Sequence, residues 1–171
     1  MTATERKFLI FFMHGQRYAF NQADIAEVMF PVVSWPIPLV PPCYIGAINF
    51  HGAIVAVIDL AVFCGFPDST AHDKIIVMDV KKASLGFLVE QVARIVPEQE
   101  IAFHEAPDVR FASALLGLPE GNAVLLDIDA IIVEAELSVE GGSCQRMGTA
   151  MRHGAFRSCR HGGCAGSLCL D

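Results

Sequence analysis

Short apolar runs, separated by glycine, proline and acidic residues, recur along the first 137 residues of the chain. Runs of about 4–8 apolar residues bounded by turn-forming residues are typical of β-strands, whereas helices need longer periodic segments. The pattern predicts strands over residues 8–13, 16–20, 29–33, 45–50, 53–58, 74–80, 84–89, 90–96 and 122–126. We therefore expect a mainly β protein.

Residues 44–60 are the most informative part of this pattern. They predict a β-hairpin whose tight turn is formed by His51 and Gly52, because glycine tolerates the positive φ that such a reversal needs. The second strand, residues 53–58, is nearly all apolar and is expected to be buried on both faces. A buried strand requires neighbours, so we expect the rest of the chain to pack around this hairpin.

A helical turn over residues 60–64 is predicted directly after the hairpin, with Asp59 as its N-cap. A similar order recurs 69 residues later, where Gly121 precedes an apolar strand and Asp127 ends it. A helix over residues 130–137 follows, for which Asp129 is the expected cap. The repetition predicts two similar β subdomains, each closed by a helix, with residues 65–72 as the passage between them.

Two further segments have a predicted structure. Residues 22–27 are expected to form a short helix capped by Asn21. Residues 35–42 contain four prolines, which exclude a helix or a central strand, so a stiff surface connection is expected there. Trp35 either plugs the end of a barrel or anchors a binding partner, and the plug is the favoured interpretation.

Composition and charge narrow the possible functions. The chain is 53% hydrophobic, yet its longest apolar runs are far shorter than the ~20 residues that span a membrane, and residues 8–13 are too short for a secretion signal. We therefore expect a cytoplasmic protein that does not insert into a membrane. Residues 1–137 hold 8 basic and 17 acidic side chains, a net charge of −9. Nucleic acid is a poor partner for such a body, because binding phosphates needs a basic surface.

From Ser138 onward the sequence loses its apolar pattern, and Gly, Ser, Arg and Cys dominate residues 138–171. A segment of this composition buries too little surface to order itself, so a mobile tail is expected. Its cysteines, Cys159, Cys164 and Cys169, are spaced more widely than most zinc ligands, which makes a metal site improbable. A metal-binding redox protein built on the tail remains an alternative.

Candidate catalytic groups are sparse. The carboxylates Asp59, Asp79, Asp127 and Asp129 each occupy a position where a cap or turn is required, so capping is favoured over acid–base chemistry. The sequence contains neither a phosphate-binding glycine loop nor a nucleophile elbow. These features disfavour an enzyme, and no cofactor is expected. A small-molecule-binding barrel remains open if an enclosed pocket exists.

Three blocks of sequence resemble the chemotaxis coupling protein CheW and CheW-like domains. The blocks span residues 8–28, residues 45–60 and residues 85–92, and the second is the most specific. Together they cover about residues 6–137, so the resemblance extends over nearly the whole patterned part of the chain. The order and spacing of the blocks fit the family. On this resemblance residues 1–137 form one CheW-like domain.

The resemblance implies a non-catalytic scaffold made of two SH3-like five-stranded β-barrels with short helices. Such proteins join the cytoplasmic tips of methyl-accepting chemoreceptors to the regulatory domain of a CheA-type histidine kinase. They act at receptor arrays on the inner membrane, through protein contacts alone. The receptor hairpin lies in a hydrophobic groove between the barrels. The partner-binding positions that the resemblance implies are Ile25, Glu27, Val28, Ile45, Phe50, His51 and Gly52.

One position departs from the family pattern. The family turn carries asparagine, leucine, arginine and glycine, whereas His51 occupies the arginine position here. Arginine is always charged and forms forked hydrogen bonds, but a histidine side chain changes its charge near neutral pH. The departure implies an unusual receptor or kinase, or altered signalling. CheW-like modules also serve pilus-motility and other sensory pathways, so the pathway stays open.

Overall fold

A computed structural model describes residues 5–67 and 72–141 of the chain. These residues form the strands β1 (Lys7–Met13), β2 (Gln16–Asn21), β3 (Ile25–Met29), β4 (Tyr44–Phe50), β5 (Ala53–Asp59), β6 (Lys74–Met78), β7 (Leu85–Val89), β8 (Gln91–Pro97), β9 (Ala102–His104), β10 (Ala112–Gly117) and β11 (Ala123–Leu126). The helices are α1 (Leu60–Phe63) and α2 (Ile128–Gly141), with 3-10 turns at Gln22–Asp24 and Glu98–Glu100. The expectation of a mainly β fold with two barrel-like units and short helices is confirmed.

The strands form two sheets with the same internal order. The first sheet runs β8-β1-β2-β11-β10-β9 and the second runs β3-β6-β7-β5-β4. In each sheet an antiparallel hairpin, β1–β2 or β6–β7, pairs in parallel with the strand that precedes a helix, β11 or β5. The first sheet has six strands rather than five because it includes the short β9. In the second sheet the isolated bridge between Trp35 and Ala47 occupies the equivalent place.

Along the chain, the strands of the second sheet are inserted between two groups of strands of the first sheet. The first sheet combines the N-terminal strands β1 and β2 with β8 to β11, so the second sheet is formed by the intervening strands β3 to β7. Residues 65–72 therefore connect α1 to β6 within one unit, not one barrel to the other, and residues 68–71 lie outside the described ranges. The mobile tail expected from residue 138 also differs at its start, because α2 continues to Gly141, and residues 142–171 lie outside the described ranges.

The β4–β5 hairpin is less central than its sequence indicates. β4 lies at the edge of the second sheet, and β7 is the middle strand. Burial of β5 on both faces is also wrong for its first half, since Ile54 is 77% exposed while Val55, Val57 and Ile58 are buried. Apolar content alone does not distinguish a strand with two covered faces from one whose outer face remains open.

The caps explain where both helices begin. The Asp59 carboxylate accepts a hydrogen bond from the Val62 backbone N–H at 3.2 Å, as predicted. For α2, however, the cap is Asp127, which accepts from the Ala130 N–H at 3.2 Å, so the expectation that Asp129 caps this helix is wrong. Asp129 instead pairs with the Lys82 ammonium at 3.1 Å. The repeat of strand, Asp cap and helix is therefore present in both sheets.

The predicted helix over residues 22–27 is also wrong. Asn21 does act as a cap, accepting from the Ala23 N–H at 3.1 Å, but the helical turn ends at Asp24 and β3 begins at Ile25. The β-branched residues Ile25 and Val28 pack well on a pleated sheet, and β3 pairs with β6 from Ile25 to Met29. Tertiary pairing thus overrides a short local helix signal.

The two sheets share one hydrophobic core. The largest buried cluster combines residues of both sheets with α1 and α2, and the Phe20 ring of β2 lies 5.6 Å from the Phe87 ring of β7. Two smaller clusters fill the individual sheets, one centred on Phe8 and Ile10 and the other on Ile48. The shared cluster fixes the relative position of the sheets. No helix within the described residues is long and apolar enough to cross a membrane.

Candidate partner-binding groove

A groove lies where the outer edges of the two sheets approach each other. β3 is the edge strand of the second sheet and β8 is the equivalent edge strand of the first. The cavity between them has a volume of about 290 Å³ and is partly open to solvent. Its lining is apolar except for two side chains, and consists of Leu9, Gln22, Ile25, Ala26, Glu27, Val28 and Ile95.

β3 contributes four consecutive residues to the groove, which a regular strand cannot do because alternate side chains point to opposite faces. The register with β6 shifts between Ile25 and Glu27, so Ala26 is the extra residue of a bulge. A bulge bends and twists the strand and re-aims the side chains beside it. Beyond the bulge the alternation resumes, so that the Glu27 side chain is half exposed while Val28 packs against the shared core.

The hairpin turn between β4 and β5 reaches the polar side of the groove. His51 and Gly52 both have positive φ, 49° and 87°, which suits a two-residue hairpin turn. The His51 Nε2 atom lies 3.2 Å from the Glu27 Oε2 atom, and both side chains are substantially exposed. Phe50 packs on the small cluster of the second sheet, and its ring meets the His51 ring edge-to-face at 4.5 Å. The turn thus contacts β3 through one polar pair.

Most of the residues singled out in the sequence come together here. Ile25, Glu27 and Val28 line the groove, while Phe50, His51 and Gly52 form the adjoining turn. Ile45 lies at the opposite end of β4 and is absent from the groove lining. The role of all seven in binding a partner stays a prediction.

Sequence reasoning missed Leu9 of β1 and Ile95 of β8, which form the other wall. Both belong to ordinary apolar strand patterns, and neither stands near β3 in the sequence. Ile95 is nearly half exposed, which is unusual for isoleucine, but exposure is not visible in a linear pattern. Only the approach of the two sheet edges brings these side chains to the groove.

A second apolar surface covers the outer side of the second sheet. Residues 30–42, here called the strap, are held on β4 by two backbone hydrogen bonds between Trp35 and Ala47, of 2.8 and 2.7 Å. The Trp35 side chain is 61% exposed, so its interpretation as a barrel plug is wrong. Because Trp35 pairs with Ala47 and Asn49 pairs with Ile54, Trp35 and Ile54 lie on the same outward face. The term strap surface is used here for Ile54 together with the exposed apolar residues of the strap, which are Phe30, Val32, Val33, Trp35 and Leu39.

One residue of the strap surface, Leu39, has an unusual backbone conformation. Leu39 is 97% exposed and adopts a left-handed φ of 60°, a conformation that leucine rarely takes. The Lys74 ammonium lies 3.1 Å from the centre of the Phe30 ring and closes one side of the surface with a cation–π contact. An apolar residue this exposed on a strained turn contributes little to folding, which favours a role in contact with another molecule.

The described cysteines do not provide a reactive thiol. Cys43 is buried, and burial raises the pKa of the Cys64 thiol to about 12, with the Asp59 carboxylate adding to the rise and Arg110 opposing it. A thiol with such a pKa is almost entirely protonated at neutral pH and is a poor nucleophile. Asp59 itself is buried and is occupied by the α1 cap and by His72, whose Nε2 lies at 3.3 Å. These groups stabilise the fold, and the exposed apolar surfaces are suited to binding.

Comparison with known proteins gives one consistent family. Residues 7–136 match the sequence model of the CheW-like domain. The chain is 26% identical over 140 residues to a probable chemotaxis protein CheW of Rhizobium etli, covering 77% of this chain and 90% of that protein. It is 31% identical over 136 residues to the chemotaxis protein CheW of Thermotoga maritima, covering 76% and 89% of the two chains.

The fold agrees with this relationship. The crystal structure of the scaffolding protein TtCheW from Thermoanaerobacter tengcongensis superposes with a TM-score of 0.66 at 23% sequence identity, covering 75% of this chain and 92% of that one. At this identity the likeness concerns the fold alone. The family match covers both sheets and both apolar surfaces, from β1 into α2. The chain therefore belongs to the CheW-like domain family.

Proposed function

We propose that this chain is a non-catalytic adaptor that couples chemoreceptors to a CheA-type histidine kinase. The family supports a scaffold role in chemotaxis. The observation that carries the finer proposal is the presence of two separate apolar surfaces, the groove at β3 and the strap surface on β4 and β5. An adaptor must hold two partners at once, and that requires two such surfaces on one rigid body.

The groove is assigned to the helical hairpin at the cytoplasmic tip of a methyl-accepting chemoreceptor. Its volume of about 290 Å³ is at or below the lower end for small-molecule pockets, and it is partly open along the sheet edges. Its four aliphatic side chains, Leu9, Ile25, Val28 and Ile95, give a short apolar seat. A helix that lays its apolar face into a groove makes contacts of this kind at positions about three or four residues apart.

The strap surface is assigned to the regulatory domain of the kinase. Six apolar residues of the strap surface are exposed, and Trp35 and Ile54 share one outward face, a feature typical of interaction sites. A broad apolar face with an exposed aromatic anchor suits another folded domain, since hot spots at interfaces are enriched in tryptophan. On this proposal Trp35 and Leu39 are the central contacts. The complex acts at receptor arrays on the inner membrane through protein contacts.

The experiment that tests the proposal separates the two surfaces. Binding of a chemoreceptor hairpin fragment and of a CheA-type regulatory domain is measured by calorimetry for the intact chain and for two variants. Ile25→Asp should weaken hairpin binding at least about tenfold, because it places a charge in the apolar seat, and should leave kinase binding unchanged. Leu39→Asp should do the reverse.

Val133→Asp is the matched control. Val133 is an exposed apolar residue on α2 that belongs neither to the groove lining nor to the strap surface, so this variant should bind both partners as the intact chain does. Thermal unfolding of all three variants checks that the fold survives. If neither partner binds the intact chain, or if both variants weaken both partners alike, the proposal is incorrect.

A further inference from the structure

The only charged side chain among the groove-lining residues of the described chain is Glu27, and its surroundings leave it incompletely paired. Its carboxylate is 50% exposed and lies 3.2 Å from the His51 imidazole. A carboxylate offers about four acceptor sites, and one imidazole nitrogen can fill a single one. A helix that docks on the groove removes water from this carboxylate. It must therefore replace the lost hydrogen bonds or weaken its own binding.

The best replacement is a cation from the partner. A lysine or arginine paired with a carboxylate makes a charge-assisted hydrogen bond, which is stronger than a neutral one. The body of this protein, residues 1–137, carries a net charge of −9, which attracts cationic segments as they approach. Apolar side chains of the same helix would fill the seat formed by Ile25 and Val28.

The charge on His51 affects how well Glu27 can pair with a partner cation. Imidazole is the side chain that gains or loses its charge between about pH 5 and 8. Among the described residues, Glu27 is the charged group that faces His51 within ion-pair distance, and the adjoining positions Asn49, Phe50 and Gly52 of its own hairpin do not titrate. A protonated His51 would neutralise Glu27 and repel a partner cation beside it.

Resting on the proposed function, we infer that Glu27 and His51 select the partner at this groove. With His51 neutral, the groove prefers a docking helix that presents a lysine or arginine to Glu27. Protonation of His51 removes that preference, so receptor coupling through the groove weakens as pH falls. The other side chains that line the groove carry no titratable group, so their contribution to affinity does not change with pH.

The test measures the affinity of a chemoreceptor hairpin fragment between about pH 8.5 and 5.5, the range over which imidazole titrates. For the intact chain the affinity should fall about fivefold on acidification, the scale of one solvent-accessible charge pair. Glu27→Gln should bind more weakly than the intact chain at pH 8.5, because the carboxylate that pairs with the partner cation is lost. His51→Gln should retain tight binding at both ends. Replacing the lysines and arginines of the hairpin singly by glutamine should identify one whose loss also removes the pH dependence.

Two controls exclude trivial causes. Glu136→Gln removes one exposed carboxylate on α2, and His104→Gln removes one exposed histidine on β9, so both should behave as the intact chain does. Affinity that is independent of pH, or that rises on acidification, would overturn the inference while the groove remains a docking site. Absence of hairpin binding at every pH would overturn the proposed function and this inference together.

Discussion

Gly46 offers the sharpest way to perturb one surface without touching the core. It lies in β4 with a φ of 155°, and a Cβ at this position would lie 2.6 Å from the carbonyl oxygen of Trp35. That oxygen accepts the Ala47 N–H at 2.7 Å, which is one of the two hydrogen bonds that hold the strap on β4. Gly46→Ala therefore pushes the strap away at the point where it is attached.

The free energy cost of Gly46→Ala follows from the contacts that the added Cβ would make. To reach an ordinary carbon–oxygen contact the Trp35 carbonyl must retreat by roughly 0.6–0.8 Å, which lengthens a 2.7 Å hydrogen bond beyond its favourable range. Losing both strap hydrogen bonds costs about 2 kcal/mol, at ~1 kcal/mol net for each. Holding a non-glycine residue at this φ costs a further ~1–3 kcal/mol. Release of the strap relieves the contact with the Trp35 carbonyl, whereas the strained φ in β4 remains.

Two assays measure the effect of Gly46→Ala, one on the strap and one on partner binding. The chain has one tryptophan, so a change in acrylamide quenching of Trp35 fluorescence reports on the strap directly. Binding of the kinase regulatory domain should fall at least about tenfold, while binding of the receptor hairpin stays within about twofold. Gly65→Ala is the matched control, because Gly65 also has a positive φ, 93°, but nothing lies within 4 Å of its added Cβ. Unaltered kinase binding together with released Trp35 would refute the role of the strap; unaltered quenching would refute the predicted steric contact.

Three further predictions concern the fold. Phe87→Ala should destabilise the protein by about 3–5 kcal/mol, because this fully buried ring belongs to the shared core. Both sheets should still unfold in one transition. Separate transitions, measured by circular dichroism and hydrogen exchange, would show independent barrels. Asp127→Ala should lower the free energy of unfolding in denaturant by ~1 kcal/mol through loss of the α2 cap. Asp129→Ala removes only an exposed ion pair and should lower it clearly less. The opposite ranking would contradict the observed cap. Cys64 should resist iodoacetamide at about pH 8 in the native protein, because its raised pKa leaves little thiolate, and it should react readily in denaturant. Peptide-level mass spectrometry distinguishes Cys64 from the other cysteines. Rapid labelling of the native protein would contradict the burial of Cys64.

The groove shows where sequence reasoning reaches its limit. The motif in β3 indicates Ile25, Glu27 and Val28, and the turn motif indicates His51, because both are local features. Leu9 and Ile95 give no local signal, since an apolar residue in a strand looks alike whether it fills a core or lines a groove. The bulge at Ala26 is also set by the pairing with β6 rather than by the residues of β3 alone.

The helix caps give a second example. The positions of Asp59 and Asp127 at the ends of apolar strands indicate a repeat, and the same strand, cap and helix occurs in both sheets. The sequence pattern does not decide whether Asp127 or Asp129 caps α2, because aspartate suits the cap position in either case. The Asp127 N–H is held by the Phe111 carbonyl at 2.8 Å, so the helix begins directly after it, and Asp129 lies inside the helix and pairs with Lys82.

The sequence by itself determined the mainly β class, the tight turn at His51 and Gly52, a helix after each of two apolar strands, and the family. Each of these depends on neighbouring residues, through side-chain period, backbone freedom or short motif. Tertiary structure alone decided that β1 and β2 join the C-terminal strands, that Ile54 and Trp35 face solvent, and that two sheet edges meet in a groove. These outcomes depend on which distant strands pair, and the free energy of that pairing is shared by the whole core rather than encoded in any one segment.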